Sequence, residues 1–353
     1  MIRDIVIRQL IDMDDLSATV DLQQAVWRMH DVEVSSPHTL RAIAHSGGAV
    51  IGAVARRHSH DRANEQLVGF CFGFGTLRDG ELWLWSHMAG VHPDYQGQGI
   101  GLQLKLAQRE WALSQGYRWM AWTFDPMQAG NANFNFNRLG VTARGYSVDH
   151  YGVMQDGINA GLASDRLEAQ WALEALPPPP GPRSPLGPPA QRGAEIPKEG
   201  GEDSPFDNVD IINLVFVDED GRLRRERPKS RGDEVFGIEI PANIAELKVT
   251  DFERAKQWQL YVRAAMTDLL DAGYIVSGFI RSGERGWYIL SQTFPQPPPR
   301  SISARKHCAS RGERNSPRTV LSRAIGFANW QLGLAQSPKR LRVRRWRRVG
   351  SGR

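Results

Sequence analysis

Met88-Ala-Gly-Val-His-Pro-Asp-Tyr-Gln-Gly-Gln-Gly-Ile-Gly101 runs without a break into Leu102-Gln-Leu-Lys-Leu-Ala-Gln-Arg-Glu-Trp-Ala-Leu113, and this stretch decides the fold. Residues 82–91 form an apolar run of strand length. Residues 102–113 place Leu102, Leu106 and Leu113 at near-helical spacing and stop by Gly116. Gly97, Gly99 and Gly101 lie between, so the order is strand, tight turn, helix. Glycine lets a backbone approach a ligand closely, and the first N–H groups of a helix have no partner inside it. Those donors, at the positive end of the helix dipole, suit a phosphate.

Two phosphate loops with known spacing do not fit. A dinucleotide fingerprint needs Gly-x-Gly-x-x-Gly, whereas the spacing here is Gly97-x-Gly99-x-Gly101; a Walker loop needs Gly-Lys-Ser/Thr, which is absent. Gln96-x-x-Gly99-x-Gly101 after Val91-His-Pro instead resembles the acyl-CoA pyrophosphate loop of the GNAT superfamily of N-acyltransferases. Trp119-Met-Ala-Trp-Thr-Phe-Asp-Pro126 and Asn131-Ala-Asn-Phe-Asn-Phe-Asn-Arg-Leu-Gly140 resemble the second motif of one subgroup of predicted acetyltransferases that carries a C-terminal extension. Gly161-Leu-Ala-Ser-Asp-Arg166 followed by Trp171 resembles its continuation.

Outward from the loop, residues 1–8 alternate like a strand and 14–27 read as a helix. Residues 29–39 are polar, contain Pro37, and suit a loop or short helix over a substrate cleft. Residues 49–55 and 67–75 read as strands joined by the polar run 56–64, 117–124 as a strand, 131–139 as a short helix closed by Gly140, and 141–153 as a returning strand. This predicts an α/β fold: a GNAT-like mixed, mostly antiparallel central sheet with flanking helices, over an acyl-CoA-binding domain at 1–176. Eight prolines between Pro177 and Pro189 predict a Pro/Gly-rich linker over 177–207. Strands at 209–217 and 235–240, a helix opening on a capping box Thr250-x-x-Glu253, and a hairpin at 274–290 predict a smaller α+β segment over 208–293 that docks on the first domain. Residues 294–353 begin Pro-Gln-Pro-Pro-Pro and continue Arg-rich without pattern, which predicts a disordered basic tail.

Charge separates the tail from the rest. Residues 300–353 hold 15 Lys/Arg against Glu313, a net +14, while the whole chain of 353 residues carries +5; residues 1–299 are therefore at −9. Nucleic-acid contact is an expectation for the tail alone. No run of 18 apolar residues occurs, so no membrane span is expected. The amino terminus lacks a signal-peptide core, and the two cysteines, Cys71 and Cys308, make no disulfide framework. These features predict a cytoplasmic protein. The sequence holds no CxxC, no His-Glu-x-x-His and no Gly-x-Ser-x-Gly, so neither a metal nor a serine nucleophile is expected.

The resemblance implies acetyl-CoA or another acyl-CoA as co-substrate and a small primary amine, such as an amino acid, as acceptor. It implies that the backbone of Met88, Ala89, Gly90 and Val91 binds the pantetheine arm and supplies the oxyanion donor. Gln96, Gly97, Gln98, Gly99, Ile100 and Gly101 would hold the pyrophosphate, and Asn131 would lie near the pantetheine. Many GNAT enzymes place a proton-donating tyrosine where this chain has Phe136. Tyr146 and Tyr151 are the available phenols, unless they are simply amphipathic strand residues. Histidine titrates near neutrality, which makes His87 the candidate base, or else a structural histidine. Asp125 is the second candidate base, or a turn carboxylate before Pro126. His92 is expected to shape the turn at Pro93, and Arg166 to meet a substrate carboxylate or form a surface ion pair. A different class of reading is an acyl-CoA sensor or scaffold whose Phe136 marks lost catalysis.

Overall fold

Strand β2 (Ala49–Arg56) is buried on both faces, which is why its sequence is apolar without alternation. Ala49, Ile51, Ala53 and Ala55 pack on Ile100 and Leu104 of one helix. Val50, with Phe70 and Phe72 of the next strand, packs on Leu16, Leu22 and Leu40 from two others. This end of the sheet is thus the middle layer of three. The computed structural model describes residues 4–28, 33–56, 65–152, 154, 161–175, 211–227, 234–283 and 285–292. The expected linker, the basic tail and part of the expected lid lie outside these residues.

The chain runs β1 (Asp4–Gln9), α1 (Met13–Trp27), α2 (Pro37–His45), β2, β3 (Glu65–Arg78), β4 (Glu81–Val91), α3 (Ile100–Ser114), β5 (Trp119–Phe124), α4 (Ala129–Asn133) with a π-helical turn (Phe134–Leu139), β6 (Thr142–Ser147) and β7 (Arg166–Ala172). There follow β8 (Ile211–Val217), β9 (Leu223–Arg225), β10 (Val235–Pro241), α5 (Ile244–Thr250), α6 (Phe252–Asp271), β11 (Ile275–Ser282) and β12 (Arg285–Ser291). The twelve strands among the described residues join one mixed sheet, in the order β1-β2-β3-β4-β5-β7-β6-β11-β12-β10-β8-β9. Among the described residues, β4–β5 and β8–β10 pair in parallel and the other neighbours antiparallel. The later strands extend the earlier sheet through a single pair, Val276↔Ala143.

Several local expectations need correction. Of the loop or short helix expected around Pro37, the helix forms: Pro37 sits at the first position of α2 while Ser36 accepts a hydrogen bond from the Thr39 amide. Residues 166–172 form β7, with Leu167, Ala169 and Trp171 buried and Arg166, Glu168 and Gln170 on the opposite face. The strand expected over 141–153 ends at Ser147. Thr250 closes α5, and the cap of α6 is Asp251, whose carboxylate accepts from the Arg254 amide at 3.0 Å.

The two halves of the sheet are tied together by a buried polar cluster. Asp165 accepts from Arg263 Nε and an Nη of the same guanidinium at 2.8 and 2.9 Å, from the Tyr146 hydroxyl at 2.7 Å, and from the Asp149 amide at 3.0 Å. Gln259 of α6 adds two bonds to the backbone of Ala163.

Candidate active site

The site is made where two parallel strands part. β4 and β5 pair over Trp83↔Trp119, Leu84↔Met120 and Trp85↔Ala121, and no further. β4 stays paired with β3 up to Val91, so residues 86–91 keep one edge unpaired toward β5. At about 3.3 Å per residue that edge is roughly 16 Å long. It leads directly into the glycine loop.

The loop is shaped for an anion. His92 Nδ1 accepts from the Asp94 amide at 3.3 Å and closes a single 3₁₀ turn at Pro93–Tyr95, as expected for a turn residue. Gln96 Nε2 donates to the Val91 carbonyl at 3.1 Å and Gln98 Nε2 to the Asp94 carbonyl at 3.4 Å, so both amides brace the turn. Gly97 (φ 75°) and Gly99 (φ 79°) occupy the left-handed region, where a side chain is strained. A Cβ at either would meet no atom within 4 Å. The space over the loop is open, and no side chain caps the first turn of α3. Free helix amides beneath an open glycine surface fit a pyrophosphate. Ile100 anchors the helix start in the core, and Gly101 is half-buried beside Val91.

Gly90 is a glycine for a second reason. A Cβ there would lie 2.6 Å from the Trp27 ring and 3.1 Å from Val26, so its absence lets the end of α1 seat against β4. Met88 packs in the same cluster, and Ala89 is exposed.

His87 is the extra residue of a β-bulge: the β3–β4 register steps from Phe72↔Met88 to Gly73↔Ser86. The bulge turns the imidazole toward the side of the sheet that carries α1 and α2, against the rings of Phe72 (5.3 Å) and Phe74 (6.2 Å). That apolar setting lowers its pKa below the usual value, favouring the neutral ring. It makes no hydrogen bond to a described residue.

The other candidates have different surroundings. Asp125 accepts from the Met127 amide (2.8 Å) and Gln128 Nε2 (3.2 Å), forming the turn between β5 and α4. Desolvation raises its pKa, opposed by those bonds and by the charges of Arg166 and Lys248. The Tyr146 proton is committed to Asp165, and burial together with that carboxylate raises its pKa further. Tyr151 is exposed, with its hydroxyl 3.3 Å from Thr123 Oγ1. Asn131 is exposed in the short helix α4. Arg166 is not a surface residue: it is 7 % exposed, with its guanidinium 5.3 Å from the Tyr151 ring.

Phe136 is buried edge-on to Phe124 (6.3 Å) and Tyr288 (5.9 Å). Tyr288 thus brings a phenol to this spot from the far end of the chain, and it donates to the Pro126 carbonyl at 2.7 Å. Sequence spacing carries no sign of that contact. Nor does it mark Lys105, Ser86 and Gln108, a polar cluster buried at the point of the splay. Cys71 is fully buried against α3, and desolvation pushes its thiol up to about 12. Alkylation at Cys71, read by peptide mass, is therefore expected to be absent in native buffer and complete in denaturant. Among the described residues, no group of three or more His, Cys, Asp or Glu side chains is arranged to hold a metal ion. Among them, too, no helix is long and apolar enough to cross a membrane.

A splayed parallel strand pair above a glycine turn at a helix N-terminus, within a mostly antiparallel sheet, defines the GNAT fold. Residues 17–140 match the Acetyltransferase (GNAT) family, and the chain carries a GNAT acetyltransferase domain there. Similar solved structures include NAA60 of Arabidopsis thaliana in complex with a bisubstrate analogue, at 15 % identity over 48 % of this chain and 98 % of that one, TM-score 0.39. The putative acetyltransferase yncA of Salmonella typhimurium, with its cofactor acetyl-CoA, matches at 20 % identity over 48 % and 94 %, TM-score 0.37. The ribosomal-protein-S18-alanine N-acetyltransferase of Escherichia coli matches at 15 % over 48 % and 94 %, TM-score 0.36. No curated protein matches the chain.

Proposed function

We propose that the protein is an N-acyltransferase that moves an acyl group, acetyl first among them, from acyl-CoA to the primary amine of a small metabolite such as an amino acid. The observation that carries this reading is the unpaired edge of β4, which runs from the glycine loop back to the bulge at His87. The thioester supplies an activated acyl carbon. The amides of 97–101 would take the pyrophosphate, and the free β4 edge at Met88–Val91 would hold the arm and offer an N–H to the oxyanion. His87, neutral and on the open side of the bulge, would take the ammonium proton directly or through one water. Asp125 would shape the turn beside the site, and Tyr146 is left to its structural bond.

Calorimetric titration of the full chain with acetyl-CoA, succinyl-CoA and NAD tests the reading. Saturable binding of a CoA ester and none of NAD is expected. Gly99→Val adds about 1–2 kcal/mol of backbone strain and fills the open space over the loop. It is expected to weaken CoA-ester binding at least ~100-fold, about 2.7 kcal/mol, while the protein stays folded. Failure of every CoA ester to bind would reject the acyltransferase. Binding followed by no turnover across a broad panel of amines would favour the sensor.

A further inference from the structure

Lys105 is buried where a lysine is costly. It is 4 % exposed, on the face of α3 that meets the sheet. Its Nζ donates to Ser86 Oγ at 2.7 Å and to Gln108 Oε1 at 3.4 Å, and lies 3.8 Å from the centre of the Trp122 ring. Ser86 in turn donates to Gln108 Oε1 at 2.8 Å. Gln108 Nε2, fully buried, is left without a partner. The groups facing the ammonium are Cys71 from β3, Ser86 from β4, Trp122 from β5 and Gln108 from its own helix; only Cys71 titrates. Among the described residues, no carboxylate pairs with it. Burial brings its pKa down to about 8, with a small opposing influence from Cys71.

The position is specific. Trp85↔Ala121 is the last pair joining β4 to β5, and Ser86 and Trp122 are the next residues on each strand. Lys105 touches both, so its charge sits at the vertex of the splay, at the inner end of the β4 edge that starts from the glycine loop. A buried cation with no counter-ion is unfavourable unless a negative charge arrives. Phe136, Tyr146 and Tyr288 have no proton to offer there, the first for lack of a hydroxyl and the other two because theirs is already donated.

Resting on the acyltransferase reading, we propose that the Lys105 ammonium receives and stabilises the departing thiolate. The amine nitrogen bonds to the acyl carbon and the carbon–sulfur bond breaks, its electron pair leaving on sulfur. The thiolate pairs with the Lys105 ammonium and takes up a proton as CoA leaves, giving CoA thiol. The acceptor ammonium loses two protons to His87 and thence to water; one equivalent goes to the sulfur, and one proton is released overall.

The test needs no acceptor. CoA and desulfo-CoA are titrated into the full chain across pH 6–10 (a range set by the thiol reference value of about 8.5). The ultraviolet thiolate band of bound CoA is followed against the desulfo-CoA blank. In the unaltered protein the bound thiol is expected to titrate about one pH unit or more below free CoA, so the affinity ratio of CoA to desulfo-CoA passes through a maximum between the lysine and thiol titrations and falls back at higher pH, where Lys105 is neutral. Lys105→Met is expected to abolish that shift while binding desulfo-CoA with unchanged affinity. Lys105→Gln, which can still bond Ser86, is expected to do the same and serves if the methionine variant does not fold. Identical thiol titration in the unaltered protein and either variant would overturn the proposal with the CoA site intact. Absence of CoA binding to the unaltered protein would overturn the site itself.

Discussion

Replacing His87 by glutamine is expected to lower kcat by roughly 10²–10⁴-fold, the usual contribution of a general base. Acyl-CoA affinity should barely change, because the imidazole faces the side of the sheet opposite α3, away from the glycine loop proposed to hold the pyrophosphate. Glutamine keeps the size and polarity of the side chain and removes only its basicity. The pH profile adds a second readout. The lowered pKa means the neutral ring persists to lower pH than an ordinary histidine, so the acid limb of kcat should fall below about 6.5, the usual value. Activity is full above that limb and lost as pH drops through it. A profile unchanged by the substitution would remove His87 from the chemistry and leave it as the residue of a bulge.

Replacing Arg263 by alanine is expected to be the most destabilising single change outside the apolar core. The Asp165 side chain is 0 % exposed, and Arg263 is its cationic partner through two hydrogen bonds. Removing one member of a buried pair strands the other, at a cost of about 3–5 kcal/mol. Urea denaturation should show a correspondingly lower midpoint. The Tyr146→Phe change removes one neutral donor to a carboxylate and should cost about 1.5–3 kcal/mol. Arg118→Ala, breaking an exposed pair with Glu174 at 3.5 Å, should leave the midpoint where it is. Because Arg263 comes from α6 and Asp165 from the start of β7, this contrast measures how far the later strands hold the GNAT sheet in place. Equal midpoints for the Arg263 and Arg118 variants would show that the pair contributes nothing net.

The elements nearest the glycine loop were legible because their signals are local. An apolar run, three glycines and a helical repeat lie within 32 consecutive residues, Leu82 to Leu113, and β4, the turn and α3 follow them closely. His87 stood out as a titratable group on the strand before the loop, yet its direction did not: a bulge of one residue depends on the register with β3, which belongs to the pair of strands and not to either sequence. The sequence leaves loop and short helix open around Pro37; Ser36 before it, as the cap, decides for the helix α2. β7 alternates in burial, yet its place between β5 and β6 comes from pairing with both, which its own residues do not encode.

By itself the sequence determined the GNAT layout, the glycine turn before α3 and the acidic balance of residues 1–299, since each is written in neighbouring residues. The tertiary structure alone decided which polar groups meet. Tyr146 was free in sequence and is bound to Asp165 in space; Phe136 lacks a hydroxyl and finds Tyr288 beside it, 152 positions later. Lys105 reads as one polar residue in an amphipathic helix, and only the divergence of β4 and β5 sets its charge at the vertex of the site. Burial and electrostatic coupling depend on distances through space, and sequence separation does not report them.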